Sequence, residues 1–350
     1  MKKNKKYQLT KFKSRYWYFI VPVFVLIFYA LFFSSSKKIF VAEKKDFKKV
    51  KIAENICEQR SRLNGICINF NESGRAFVGV MIENHPVARP QAGLAEASVV
   101  YEALVEGNYT RFLAFFDYAE KINKVGPVRS ARPYYLDWLN EWGNPLYMHV
   151  GGSPEALQKI VAQKIFDANE FYHAKSYWRD SSQSAPHNVY TDSGKWTEFR
   201  QSDFLNFSSW NFVTSSTPCL IHCLTHIRIS YSSETDVQWD FNTTTTRFVR
   251  YHGNTKHVTE EGEIVADTII IQEIKTKVID GEGRLALQTI GEGQAVVAYD
   301  GKKINATWKK ESFKSRTRFF DGTGVEILLK PGKIWLEIVP NFSVIEFTQL

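Results

Sequence analysis

Apolar positions along the 350-residue chain fall into three textures. The first is an unbroken run, Tyr16 to Phe33, in which 18 residues carry no charge. As a helix this run is about 27 Å long, enough to cross a hydrocarbon core. Tyr16, Trp17 and Tyr18 supply an aromatic belt beside Arg15, and Pro22 is tolerable in a spanning helix. Ser34 and Ser36 are small enough for a signal-peptide cleavage site, but the apolar length favours an uncleaved anchor over 16–34.

The second texture mixes short apolar runs with helical spacing. Phe77–Ile82, Val99–Val105, Phe112–Phe116 and Leu146–Val150 predict strands. Tyr134, Tyr135, Trp138, Leu139 and Trp142 recur at helical spacing behind Ser130, a candidate N-cap. Ser153, Pro154 and Glu155 open a second helix with Leu157, Ile160 and Val161 along one face, and Trp196–Leu205 suggests a third.

From Ile227 the third texture is a series of β-branched and aromatic runs: Ile227–Tyr231, Val237–Phe241, Arg247–Tyr251, Thr268–Ile271, Ala295–Tyr299, Val325–Leu329 and Trp335–Val339. Asp280-Gly281, Asp300-Gly301, Asp321-Gly322 and Pro331-Gly332 punctuate them as turns. The predicted fold is a mixed α/β amino-terminal domain followed by a mainly β carboxy-terminal domain, behind a single amino-terminal transmembrane helix. Its parts are a cytoplasmic basic tail (1–15), the anchor (16–34), a Lys-rich stalk and linker (35–73), the α/β domain (74–226) and the all-β domain (227–350).

The formal charge of +8 changes this picture only at one end. Residues 1–51 hold 14 Lys or Arg against Glu43 and Asp46, so the remaining chain is net −4. A nucleic-acid partner is therefore not expected. Seven basic residues lie on each side of the apolar run, which leaves its orientation a tie by charge alone. The short amino-terminal tail and the cysteines break it, placing the body outside the cell membrane as a single-pass protein.

Cys57 and Cys67 flank Asn64-Gly65, so a disulfide closing a hairpin-like loop is easy. Cys219 and Cys223 can bridge only if a turn or helical segment lies between them. Four cysteines fit an oxidising compartment, although reduced buried thiols or a zinc site are alternatives. The spacings lack the close Cys-x2-Cys pairs of zinc ribbons, so no metal is expected.

Between Glu83 and Tyr190 the chain concentrates its candidate chemistry. Arg111, Arg129 and Arg132 sit near the ends of predicted elements, and their guanidinium forks suit phosphate or carboxylate. With Ser130 they approach the turn Gly151-Gly152-Ser153, where amides at a helix start favour an anion. A tight turn with a serine cap accounts for the same residues. Asn188 belongs to a further polar cluster, Pro186-His187-Asn188.

His149 and His187 are candidate acid–base groups near neutral pH. Glu102 and Glu106, four apart on a predicted strand, would face one side as a carboxylate pair or as partners of Arg111 and Arg129. Ser153 lacks the Gly-x-Ser-x-Gly surroundings of a hydrolase nucleophile, and Pro154 removes an amide that an oxyanion hole would use. There is no Walker loop, dinucleotide fingerprint or His-Glu-x-x-His, so no cofactor is expected.

Arg89-Pro90-Gln91, Gly93-Leu94, Glu106-Gly107, Thr110-Arg111-Phe112 and the string Gly126-Pro127-Val128-Arg129-Ser130-Ala131-Arg132 form a pattern with His149, Gly151-Gly152-Ser153 and Pro186-His187-Asn188. Over residues 74–345 it resembles the YerB-like lipoproteins of bacteria. The resemblance implies an exported protein with an amino-terminal domain of unknown function and a distinct carboxy-terminal domain, and imports no reaction. Cys57 lies too far from the apolar run to be a lipidation cysteine, so a helical anchor replaces lipidation. Asn108 stands where a second glycine is expected after Glu106-Gly107.

Three functions stay open on these residues. The first is a membrane-anchored envelope protein that binds an anionic glycan or phosphate-bearing ligand through Arg111, Arg129, Ser130, Arg132, Gly151, Gly152, Ser153 and Asn188. The second is an envelope polymer hydrolase or transferase using His149, His187, Glu102 and Glu106. The third is a structural or regulatory protein whose arginines are buried ion pairs.

Overall fold

In the computed structural model, residues 57, 59–68, 76–117, 120–199 and 205–350 are described, and the expected basic tail, anchor and most of the stalk lie outside them. Among the described residues no helix is long and apolar enough to cross a membrane. The amino-terminal apolar runs form β1 (Phe77–Glu83), β2 (Val99–Leu104), β3 (Thr110–Asp117), β4 (Leu146–His149) and β5 (Asp167–Asn169). The carboxy-terminal half adds β6 (Leu224–Ser230), β7 (Asp236–Asn242), β8 (Arg247–His252) and β9 (Thr268–Glu273). It continues with β10 (Gly291–Tyr299), β11 (Lys302–Lys310), β12 (Arg318–Phe320), β13 (Ile334–Val339) and β14 (Ile345–Gln349).

The mixed amino-terminal half and the mainly β carboxy-terminal half share one ten-stranded sheet, ordered β12-β11-β10-β9-β13-β2-β3-β1-β4-β5. The seam is a parallel pair: β13 lies between β9 of its own half and β2 of the other, with Leu336 opposite Tyr101 and Glu337 opposite Glu102. A second sheet is built around β8-β7-β6-β14. Cys57–Leu350 accordingly forms one compact unit.

Two cores flank the large sheet. On one face, α1 (Pro133–Asn140) brings Tyr135, Trp138 and Leu139 against Phe77, Tyr101, Phe115 and Leu336. The other face brings Val80, Ile82, Phe112 and Ile271 together with Trp239 and Phe248 of the second sheet. Both faces are covered, which is why the strand sequences read as continuous apolar runs rather than alternating ones.

The second helix, α2 (Pro154–Gln163), starts as its sequence predicts, with the Ser153 hydroxyl accepting from the Ala156 amide and Pro154 in the first turn. Other boundaries move. Arg132, not Ser130, is the N-cap of α1, because Pro133 fixes the first helical turn two residues beyond the alanine. Of the expected helix over 196–205, residues 200–204 lie outside the described residues; among the described ones, α3 (Ser193–Trp196) is a short turn capped by Asp192. Residues 325–329 form no strand and make isolated bridges, Phe320 to Glu326 and Phe212 to Leu329.

Both disulfides form, Cys57–Cys67 and Cys219–Cys223, with Cα atoms 5.4 and 5.5 Å apart. The left-handed backbone of His222 supplies the turn that the second pair requires. The first loop, within the expected linker, is docked: Leu63 is buried, and Arg62 stacks on Phe207 and donates to the Leu205 carbonyl at 2.9 Å. Asp300 and Gly301 both have positive φ, the requirement of the tight β10–β11 hairpin.

Candidate functional site

Glu83 closes β1 and is the hub of the site, although nothing in the sequence pattern singles it out beyond its place at the end of an apolar strand. Strand pairing sets Arg111 opposite Glu83, and the Arg129 amide donates to the Met81 carbonyl at 2.9 Å, so both arginines reach the same carboxylate. The Arg129 Nε contacts Glu83 Oε2 directly, the Arg111 Nε lies 4.0 Å from Oε1, and His187 Nδ1 lies 3.3 Å from Oε2. Burial pushes the Glu83 carboxyl up, but Arg111, Arg129 and His187 outweigh it and hold it below the ordinary range.

Arg132 grips Glu106 with two parallel bonds of 2.6 Å. Burial again opposes and the Arg132 bonds again win, so the Glu106 carboxyl is held low. The Arg111 guanidinium is almost wholly buried and donates to the Ser130 carbonyl at 3.1 Å. Burial and the nearby Arg132 push its pKa down. The side chains of Arg129, Arg132 and His187 remain 19, 14 and 17% exposed. His187 stacks on His85, which in turn lies against Tyr109.

The remaining sequence candidates divide. Glu102 and Glu106 do not face one side: β2 ends at Leu104, and Glu106 falls in the next turn, where Gly107 has positive φ. Glu102 is sealed inside, accepting from Thr110 at 2.7 Å, Asn84 at 3.2 Å and Trp335 at 3.2 Å, with Arg250 at 2.6 Å. His149 is fully buried, its Nδ1 2.7 Å from the Gly151 carbonyl and its Nε2 3.0 Å from Asp167. These four acid–base candidates therefore do not converge on one site: His187 and Glu106 belong to the arginine cluster, whereas Glu102 and His149 each lie in a separate buried environment.

The turn after β4 satisfies amides from its own chain. Gly151 donates to Asn169 Oδ1 at 2.9 Å and Ser153 to the Ala131 carbonyl at 3.3 Å. Gly152 packs between Leu157 and Ala131. Asn188 accepts from Arg179 at 3.0 Å and donates to the Gln183 carbonyl at 3.3 Å. The open part of the expected cradle is thus its arginine rim.

Sequence reasoning missed two buried networks. Arg250 of β8 crosses the seam to Glu102, with its guanidinium near the Phe112, Trp239 and Trp335 rings. It also faces His257, whose other nitrogen is 2.9 Å from Gln91. Glu141 holds Lys310 at 2.7 Å and Arg316 at 3.4 Å beneath the sheet. A lone carboxylate in an otherwise apolar run, as in Val99–Leu104 and Ile334–Val339, is the signal that marks such positions.

Two family models match the chain: Protein of unknown function (DUF3048) N-terminal domain over residues 65–204, and the DUF3048 C-terminal domain over residues 227–336. The chain is 28% identical over 303 residues to the Bacillus subtilis (strain 168) protein named "Putative lipoprotein YerB", covering 81% of this chain and 87% of that one. Its fold matches the crystal structure of YerB protein from Bacillus subtilis with a TM-score of 0.74 at 26% identity, over 83% of this chain and all of the other.

Proposed function

Because the chain belongs to the YerB-like family with paired amino- and carboxy-terminal DUF3048 domains, we propose that it is an extracytoplasmic envelope protein whose arginine rim binds an anionic ligand. The relative's description as a lipoprotein and the two disulfides support the compartment. The ligand is a glycan or phosphate-bearing polymer of the envelope. At 16–34 the apolar run serves as the anchor, with the body outside.

One observation carries the binding reading. Three guanidiniums, Arg111, Arg129 and Arg132, share two carboxylates, Glu83 and Glu106, so one positive charge is uncompensated within the cluster. Like charges held together at a partly exposed rim are best compensated by an external anion. The acid–base set of a hydrolase gains no comparable support, since Glu102 and His149 are sealed away from this rim.

Thermal melting of the full chain with inorganic phosphate, against chloride at equal ionic strength, tests the reading. Phosphate raises the midpoint in the parent, because a ligand held only by the native state stabilises it as its concentration rises. Arg129→Met abolishes that rise, whatever its own midpoint. A parent indifferent to both phosphate and polyphosphate overturns the binding reading and leaves the arginines as structural ion pairs.

A further inference from the structure

Beyond the arginine rim, the loop after β5 carries two large aromatic side chains in water: Phe171 is 67% and Tyr172 83% exposed. The backbone beneath them is fixed. Amides of Tyr172 and His173 both donate to the Asn169 carbonyl at 2.9 Å, and that of Glu170 donates to the His149 carbonyl at 2.9 Å. The Phe171 ring lies over Gly151, where an added Cβ would come within 2.9 Å of it. Glycine is thus required there twice, by its positive φ and by the ring above it. A rigid loop that displays two aromatic rings at a hydrophobic cost is a surface built for contact.

Polar neighbours identify the contact. Arg179 joins the shelf to the loop beyond it, donating to Glu170 at 3.2 Å and to Asn188 at 3.0 Å. Planar carboxylate, guanidinium and amide groups beside exposed rings suit a sugar, whose apolar face stacks while vicinal hydroxyls pair with the polar edges. A bilayer would instead favour an excess of basic groups, and here Arg179 is offset by Glu170. The loop between Arg179 and Asn188 reaches the arginine rim: Arg129 approaches the Pro186 carbonyl at 3.5 Å, and His187 touches Glu83. Beneath it, Gly151 accepts from Ala131, between Ser130 and Arg132.

We propose that Phe171 and Tyr172, with Glu170, Arg179 and Asn188, form a saccharide subsite that seats sugar rings of an acidic glycan whose acid group lies on the arginine rim. The assignment of the acid group rests on the anion-binding reading above; the sugar platform stands on the shelf itself.

Titration calorimetry of the full chain with three probes tests it: a galacturonic-acid oligomer, a neutral maltooligosaccharide of equal length, and polyphosphate. Tyr172→Ala and Phe171→Ala should each weaken the uronate oligomer about tenfold, equivalent to about 1.4 kcal/mol, and leave polyphosphate unchanged. Arg129→Met should weaken both anions and leave the weaker maltooligosaccharide unchanged. Uronate binding unaffected by either shelf variant, or equal loss of uronate and polyphosphate, overturns the subsite. Parent binding to anionic phosphatidylglycerol vesicles that Tyr172→Ala abolishes also overturns it, in favour of a bilayer. If no anion binds but the maltooligosaccharide does and needs Tyr172, the anion reading has failed and the sugar platform stands.

Discussion

Glu102 and Glu337 lie directly opposite each other on adjacent parallel strands, both fully buried, one from each half of the chain. Arg250 bonds Glu102, whereas Glu337 accepts from Trp239 at 2.7 Å and Tyr231 at 2.8 Å. Two carboxylates buried together cannot both ionise readily beside one guanidinium. Burial, and then the charge of Glu102, push the Glu337 carboxyl up to about 8.

This raised value makes the seam pH-sensitive. A carboxyl that titrates near 4.5 when unfolded and near 8 when folded keeps its proton longer in the native state. Its contribution is complete below the unfolded value and is lost as pH rises through the folded one. Stability should therefore fall between about pH 4.5 and pH 8 on this account. Glu337→Gln should match the parent near pH 4, then exceed it by on the order of 5 kcal/mol at pH 9, measured by denaturant unfolding across pH. Parallel stability curves for the two proteins would refute a buried neutral Glu337.

Division of the chain at the texture change near 226 should yield no stable halves. Residues 57–226 alone would expose the edge of β2 and leave Glu102 without Arg250, while residues 227–350 would leave β13 with a bare edge toward solvent. Each half should be insoluble or lack a cooperative melt when expressed alone. Arg250→Met in the intact chain, which strands Glu102, should cost about 3–5 kcal/mol and lower the melting temperature accordingly. A separately folding amino-terminal half with a sharp melt would refute the shared-sheet dependence.

Elements with strong local signals were legible in the sequence, and long-range partners were not. Ser153 and Pro154 announce a helix start because capping is decided within a few residues. Cys57 and Cys67 announce a loop closure for the same reason. The Arg129–Arg132 string pointed to an anion-matched cluster, yet Glu83, which organises it, is an ordinary residue until β3 and the 126–130 segment fold beside it. Arg250 meets Glu102 across 148 positions of sequence, and that distance carries no periodicity to read. The texture change near 227 coincides with the start of the second family model, but it does not announce that β13 returns to complete the first half's sheet.

The last prediction concerns how Arg132 is divided between its internal partner and a ligand. Glu106 occupies the Nε/Nη2 edge of Arg132 at 2.6 Å while Nη1 donates to the Ala131 carbonyl at 2.8 Å, and both side chains are partly exposed, so an incoming anion must compete with that carboxylate. Glu106→Gln removes one negative charge from a cluster that already has one cation in excess, and frees the guanidinium edge that suits phosphate. At a partly exposed site the lost pair should cost no more than about 1 kcal/mol of stability. Anion affinity should rise about tenfold, the equivalent of about 1.4 kcal/mol, at low ionic strength, and the gain should shrink as salt screens the rim. Glu106→Asp, which keeps the charge, should stay near the parent. Calorimetry with inorganic phosphate at two salt concentrations reads both effects. Unchanged or weaker binding in Glu106→Gln, with its melting temperature preserved, would place Arg132 outside the ligand's reach and confine the site to Arg129 and His187.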